Sequence, residues 1–137
     1  MADIVTPAVR SRMMSGIRGK NTKPEILVRS FLHRRGLRFR LHSSKLPGRP
    51  DLVLPRYRSV VFVHGCFWHQ HPGCRFAYMP KSNVERWQKK FSENRARDFE
   101  AVRALEAQGW SVFTIWECQV RDDAALEQLV DRIRNSP

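Results

Sequence analysis

Three cysteines and a histidine stand at a spacing that suits a metal ion. Cys66, His71 and Cys74 fall in one short segment as C-x4-H-x2-C, and Cys118 follows an apolar run further on. These are all the cysteines of the 137-residue chain. Three thiolates and one imidazole match the four-coordinate sulfur and nitrogen set of structural zinc. His69 also lies between Cys66 and Cys74, so spacing leaves His69 and His71 as rival imidazole ligands. With Zn²⁺ such a site carries a net charge of about −1, so it would pin a loop in place rather than attract anions. The competing reading is that the cysteines are small buried hydrophobes and the histidine a polar loop residue.

A second constellation is built on Asp51. In Pro50-Asp51-Leu52-Val53 a carboxylate opens an apolar run, where a strand would hold a divalent cation rigidly. Taken alone, the same Pro-Asp reads equally well as a turn after PGRP. The next apolar run ends at His64, which comes near Asp51 if the two strands pair. Glu25 is a further candidate, although it serves equally well in a capping box with Thr22.

The elements that must position these groups follow from periodicity. Thr22, Lys23, Pro24 and Glu25 predict a helix start; Ile26, Leu27, Phe31 and Leu32 then give an apolar face, and the helix runs from about 23 to 35 before Gly36. Leu37, Phe39 and Leu41 alternate with Arg38, Arg40 and His42, a half-buried strand with a basic outer edge. Leu52 to Leu54 and Val60 to Val63 predict a central hairpin. Residues 64–81 fit neither period and read as a functional loop. A long helix is expected from Asn83 to Gln108, with Val84, Trp87, Phe91, Val102 and Leu105 on one stripe; Asn94 and Asp98 interrupt it, marking either a surface edge or the floor of a site. Residues 110–116 predict a strongly buried strand. Asp122 or Asp123 then caps a last helix through Leu126, Leu129, Val130 and Ile133. The order αβββαβα indicates a mixed α/β sheet flanked by helices.

Bulk properties bound the function. The length suits one domain over residues 1–137, and 42% hydrophobic with 28% charged residues permits a packed core. The net charge of +12 suits a polyanion such as nucleic acid. Residues 1–20 form a basic arm in which Gly16 and Gly19 weaken any helix; it contributes Arg10, Arg12, Arg18 and Lys20. No apolar run approaches the length of a membrane span, and the N-terminus lacks a signal peptide's apolar core, so the expectation is a soluble cytoplasmic protein with no disulfide framework.

LPGRPDLVLPRYRSVVFVHGCFWHQHPGC followed by WECQVR closely resembles the very short patch repair (Vsr) mismatch endonucleases, and HGCFWHQH is the most specific part. The resemblance implies a restriction-endonuclease-like fold, a Cys3His zinc site, and nicking 5′ of the thymine in a T:G mismatch. It further implies that Asp51 binds Mg²⁺ with the backbone carbonyl of Val63, that His69 activates water, and that His64 and Glu25 support the site. The zinc imidazole then falls to His71. Phe67 and Trp68, with Trp87, resemble an aromatic wedge for the base stack; core packing is the alternative for Trp87, whereas a core role for Phe67 and Trp68 looks awkward in so short a loop. Lys89 and Lys90, with Arg38, Arg40 and the arm, would contact phosphates. A companion cytosine methylase, mismatch-repair proteins, nucleoid-associated action and a monomeric state are also implied. Two rival readings remain: a non-catalytic zinc-stabilised DNA-binding protein, and another metal-dependent nuclease of restriction type.

Overall fold

The computed structural model describes residues 22–136; the basic arm, with Arg10, Arg12, Arg18 and Lys20, lies outside them. The elements run α1 (Lys23–Arg34), β1 (Arg40–Leu41), β2 (Leu52–Leu54), β3 (Ser59–His64), α2 (Val84–Ala107), β4 (Ser111–Trp116) and α3 (Asp123–Arg134). The four strands form one mixed sheet in the order β1-β2-β3-β4: the first three are antiparallel neighbours, and β4 joins β3 in parallel after the α2 crossover.

Side chains alternate across the pleat and so divide the core in two. Leu52, Leu54 and Val61 face one side, where Val28, Phe31 and Leu32 of α1 and Leu126, Leu129, Val130 and Ile133 of α3 cover them. Val53, Val60 and Phe62 face the other, under Ala101 and Leu105 of α2. Each fully buried aliphatic chain contributes about 1.5–3 kcal/mol, so the pleat itself dictates a helix–sheet–helix sandwich.

Local signals explain the helix starts. Thr22 Oγ1 accepts from the Glu25 N–H at 3.4 Å with Pro24 in the first turn of α1, and Asp122 accepts from the Ala124 N–H at 3.0 Å at the start of α3. The face of α1 differs from expectation: Val28 is buried and Ile26 is 49% exposed. Along α2 the buried stripe is Phe91, Ala101 and Leu105, while Val84 is exposed and Val102 only partly covered. The 110–116 segment is not strongly buried, because β4 ends the sheet and only Phe113 and Ile115 are covered.

The first strand shows the largest departure. Only Arg40 and Leu41 pair with β2, and both are exposed; His42, expected outward, adopts φ +46 and turns its side chain in to 14% exposure. Alternation fails there because a left-handed residue reverses the side-chain direction that an extended one would have.

The LPGRP loop that delivers Asp51 is clamped by close approach to α2. Gly48 has φ +72, and a Cβ there would lie 2.5 Å from the Cβ of Ala101 and 3.2 Å from the ring of Phe62. Gly36, at φ +84, has open space around it. Both glycine-to-alanine changes should incur the left-handed penalty of about 1–2 kcal/mol. Gly48→Ala should cost a further 1–3 kcal/mol, roughly, for overpacking. Denaturant unfolding of the two variants side by side checks this, and equal losses would remove the clamp.

Candidate active site and metal centre

The irregular loop after β3 folds back on itself. Its backbone turns by hydrogen bonds from the His69 N–H to the Gly65 carbonyl (3.1 Å) and from the His71 N–H to the Cys66 carbonyl (3.0 Å). This brings one donor atom each from Cys66, His71, Cys74 and Cys118 within 4.8 Å of one another. His71 Nδ1 lies 3.8 Å from the Cys66 sulfur and 3.5 Å from the Cys118 sulfur, and its ring stacks on Trp116 at 4.1 Å. A zinc tetrahedron with 2.3 Å Zn–S bonds has edges of about 3.8 Å, so the donor set fits that ion. Burial pushes the Cys66 thiol up to about 12, which means that its thiolate form depends on a cation. His69 does not join this cluster.

Beyond the sulfur cluster, the end of the β2–β3 hairpin opens into a cleft of about 1080 Å³. Asp51 stands on its wall with Oδ2 accepting from the Val63 N–H at 2.6 Å. The N–H and C=O of one residue in a paired strand point to the same side, so the Val63 carbonyl faces the same side as Asp51. Burial raises the Asp51 carboxyl to about 7; the Val63 hydrogen bond opposes this and the like charge of Glu25 adds to it. Glu25, on α1, is 5% exposed and accepts from Arg29 Nη2 at 2.9 Å. One donor atom each from Glu25, His42 and Asp51 also falls within 4.8 Å of the others. Two carboxylates held together with so little water create a demand for positive charge, and oxygen-rich donors of this kind suit a hard divalent cation.

His64 and His69 line the same cleft. His64 and His69 stack with ring centres 3.8 Å apart and planes 4° from parallel. His69 Nδ1 lies 2.7 Å from Asp98 Oδ2, and Asn94 donates to the Trp68 carbonyl at 3.1 Å. Asn94 and Asp98 of α2 therefore form the floor of the site, not a surface edge. A carboxylate can only accept, so a proton of His69 sits on Nδ1, toward Asp98. Burial and the neighbouring His69 bring His64 down to about 4, against the pull of Asp98, so His64 is neutral at pH 7. Burial alone would raise Asp98, but its bond to His69 and the adjacent positive groups hold it below its usual range.

Phe67 and Trp68 lie between these clusters and help to pack them. The Phe67 ring contacts Phe91, Trp87 and Tyr78 at 5.2, 5.4 and 5.0 Å, so packing is natural for it despite the short loop. Trp87 stacks on Phe91 at 5.5 Å and approaches Trp68 at 6.0 Å. Lys90 reaches over Trp68 with its ammonium 5.9 Å from the ring centre, and Lys89 beside it is exposed. Arg38 and Arg40 are exposed away from the cleft lining.

Asp51, His64, His69 and Glu25 thus all face one cleft, as do Phe67 and Trp68. Sequence reasoning missed Asp98 as the partner of His69, although its place on the α2 stripe was a signal. It also missed His42 and Arg29, for which strand parity and helix position gave no signal. Lys23, Arg49 and Arg97, additional cations at the cleft, read as ordinary surface charge.

Comparison with known proteins agrees with this geometry. The family model described as DNA mismatch endonuclease Vsr matches residues 2–75. The type II nicking enzyme V.XorIIP of Xanthomonas oryzae pv. oryzae is 50% identical, with 98% of this chain and 96% of that protein covered. The DNA mismatch endonuclease Vsr of Escherichia coli K12 is 40% identical, with 97% and 88% covered. Among solved structures, the catalytic domain of the homing endonuclease I-Bth0305I shares the fold at TM-score 0.50 and 19% identity, over 82% of this chain and 94% of that one. A mixed sheet between helices with an endonuclease's topology, and identity of this extent to nicking and mismatch enzymes, establish that the chain belongs to the Vsr family of DNA mismatch endonucleases.

Proposed function

We propose that this endonuclease nicks one strand of duplex DNA on the 5′ side of the thymine in a T:G mismatch, using Mg²⁺ at Asp51 and a structural Zn²⁺ on Cys66, His71, Cys74 and Cys118. The observation that carries the reading is that Asp51 and the Asp98–His69 pair line one cleft. A non-catalytic binding module has no use for a buried carboxylate facing a histidine of fixed tautomer.

Asp51 and the Val63 carbonyl would hold the magnesium, which when bound polarises the scissile phosphate and stabilises the leaving oxygen. His69 takes a proton from the attacking water at Nε2, while Asp98 orients the ring and stabilises the imidazolium that results. His64 stays neutral and stacks on His69, limiting the ring to one plane. Glu25 contributes negative charge beside Asp51. Lys89 and Lys90, together with the arm residues Arg10, Arg12, Arg18 and Lys20, neutralise phosphates. Trp68, partly exposed on the cleft and joined to Phe67 and Trp87, supplies the wedge. Unstacking a base step costs a few kcal/mol and costs least at a mismatch, so insertion favours the lesion.

A single nick at an asymmetric lesion requires one copy of the chain. The physiological context that fits is the nucleoid, after a cytosine methylase whose product deaminates to thymine and in company with mismatch-repair proteins. No helix among the described residues is long and apolar enough to cross a membrane.

On a labelled duplex with one T:G pair, wild type should give a single Mg²⁺-dependent nick 5′ of the T, and Asp51→Ala none; equal cutting of matched duplex would point to a restriction-type enzyme instead. Asp51→Asn should be equally inactive, yet in magnesium-free buffer at pH 8 it should unfold at higher temperature. The raised carboxyl costs the wild type stability as pH rises from its unfolded value near 4 through about 7. At roughly 1.4 kcal/mol per unit, discounted for partial exposure, the gain is on the order of 1–2 kcal/mol.

Asp98→Asn should lower kcat by roughly 100-fold or more through loss of the His69 tautomer, with DNA affinity little changed. An unaltered single-turnover rate would end that assignment. Trp68→Ala should reduce the preference for mismatched over matched duplex while zinc stays at one per chain by metal analysis. Discrimination equal to wild type would dispose of the wedge.

A further inference from the structure

His42 is the cross-strand partner of Asp51. The β1–β2 register that pairs Arg40 with Val53 and Leu41 with Leu52 continues to 42 and 51, where the His42 N–H donates to the Asp51 carbonyl at 3.2 Å. A left-handed backbone at a non-glycine residue costs roughly 1–3 kcal/mol and tends to persist where function requires it. Here it turns the imidazole into the acid cluster. Nε2 then lies 2.9 Å from Arg29 Nη2 and 3.3 Å from Glu25 Oε2, while Nδ1 faces Asp51 Oδ1 at 3.9 Å.

A guanidinium can only donate hydrogen bonds. Nη2 of Arg29 carries two hydrogens, one for Glu25 Oε2 at 2.9 Å and one for His42 Nε2 at the same distance. The lone pair of His42 is therefore on Nε2 and its proton on Nδ1, the nitrogen that faces Asp51. That arrangement removes His42 from the ligands of a cation, despite its closeness to both carboxylates, because the nitrogen facing Asp51 has no lone pair to give.

We propose that Arg29 and His42 form a positioning relay for Asp51. Arg29 fixes the His42 tautomer, and the Nδ1–H attracts Oδ1 across 3.9 Å while the Val63 N–H holds Oδ2. At 3.9 Å the Nδ1–Oδ1 approach is electrostatic and longer than a hydrogen bond. The same guanidinium neutralises Glu25, which would otherwise repel the charge on Asp51. The relay rests on the reading of Asp51 as the cation-holding carboxylate.

The tautomer is tested apart from activity. Nitrogen-15 NMR of the zinc-loaded, magnesium-free protein should show His42 as the Nδ1–H form, and Arg29→Met should shift the proton to Nε2. An Nε2–H ring in wild type, or no change in Arg29→Met, overturns the relay. In the nicking assay, His42→Leu should raise the Mg²⁺ concentration for half-maximal rate about tenfold, the size expected when an outer hydrogen bond to a metal ligand is lost. The KM for DNA should not move. His42→Gln, whose amide offers oxygen to Arg29 and N–H to Asp51, should restore the value to within about threefold of wild type. Leu and Gln variants that are equally impaired, or equally unimpaired, also overturn the relay. Magnesium-independent nicking by wild type would instead refute the reading of Asp51, with the NMR result still deciding the hydrogen bonding.

Discussion

The site depends on keeping one carboxylate, Asp51, largely out of water next to another, Glu25. Burial of an anion costs several kcal/mol unless charge or hydrogen bonds compensate. Here the compensation within the chain is incomplete: the Val63 N–H serves one oxygen, and the carboxyl is still displaced to about 7. The fold supplies the geometry and leaves the charge to a cation. Three separate segments converge to maintain that state: the β3 backbone, α1 with Glu25, and the LPGRP loop clamped on Ala101. None of them could do so without the β2–β3 register that sets Asp51 at the open end of the hairpin.

Two histidines, His69 in the cleft and His42 beside the Glu25–Asp51 pair, receive opposite instructions from their partners. Asp98 can only accept, so it places a His69 proton on Nδ1 and, in the proposed reading, turns Nε2 toward water. Arg29 can only donate, so it takes the lone pair of His42 Nε2 and makes that ring a donor toward Asp51. An imidazole alone is ambiguous between acid, base and ligand; its role is set by the neighbour that fixes its tautomer. In the proposed reading the same residue type supplies a base in the cleft and a hydrogen-bond donor beside Asp51.

The legible parts of the sequence were those encoded locally. Continuous apolar runs at 52–54 and 60–63 revealed the central hairpin, and the rare density of cysteine and histidine in 64–74 marked the loop. The resemblance then separated His71 from His69. The partners at long range were hidden. His42 sat in an alternating run with Arg38 and Arg40, and parity pointed it outward; only the positive φ, a property of the loop that follows, turned it in. Arg29 looked like any cation on an exposed helix face. Asp98 was half visible, since positions 91, 94, 98, 101 and 105 share a helical stripe, but nothing local reveals that His69 waits opposite. The strand at 110–116 misled because hydrophobic content cannot distinguish an edge from a centre, which is decided by pairing.

The polar floor also gives a reason for a four-donor loop in so small a fold. A helix of the length of α2 would ordinarily be secured by a continuous apolar stripe, yet Asn94 and Asp98 occupy its middle. The stripe is split into two anchors. Ala101 and Leu105 hold the C-terminal half against the sheet. The N-terminal half, with Phe91 and Trp87, rests instead on Phe67, a residue of the loop between Cys66 and His71. Zinc held by that loop would therefore seat half of α2 as well as His69, and would stand in for the apolar contacts that the polar floor displaces.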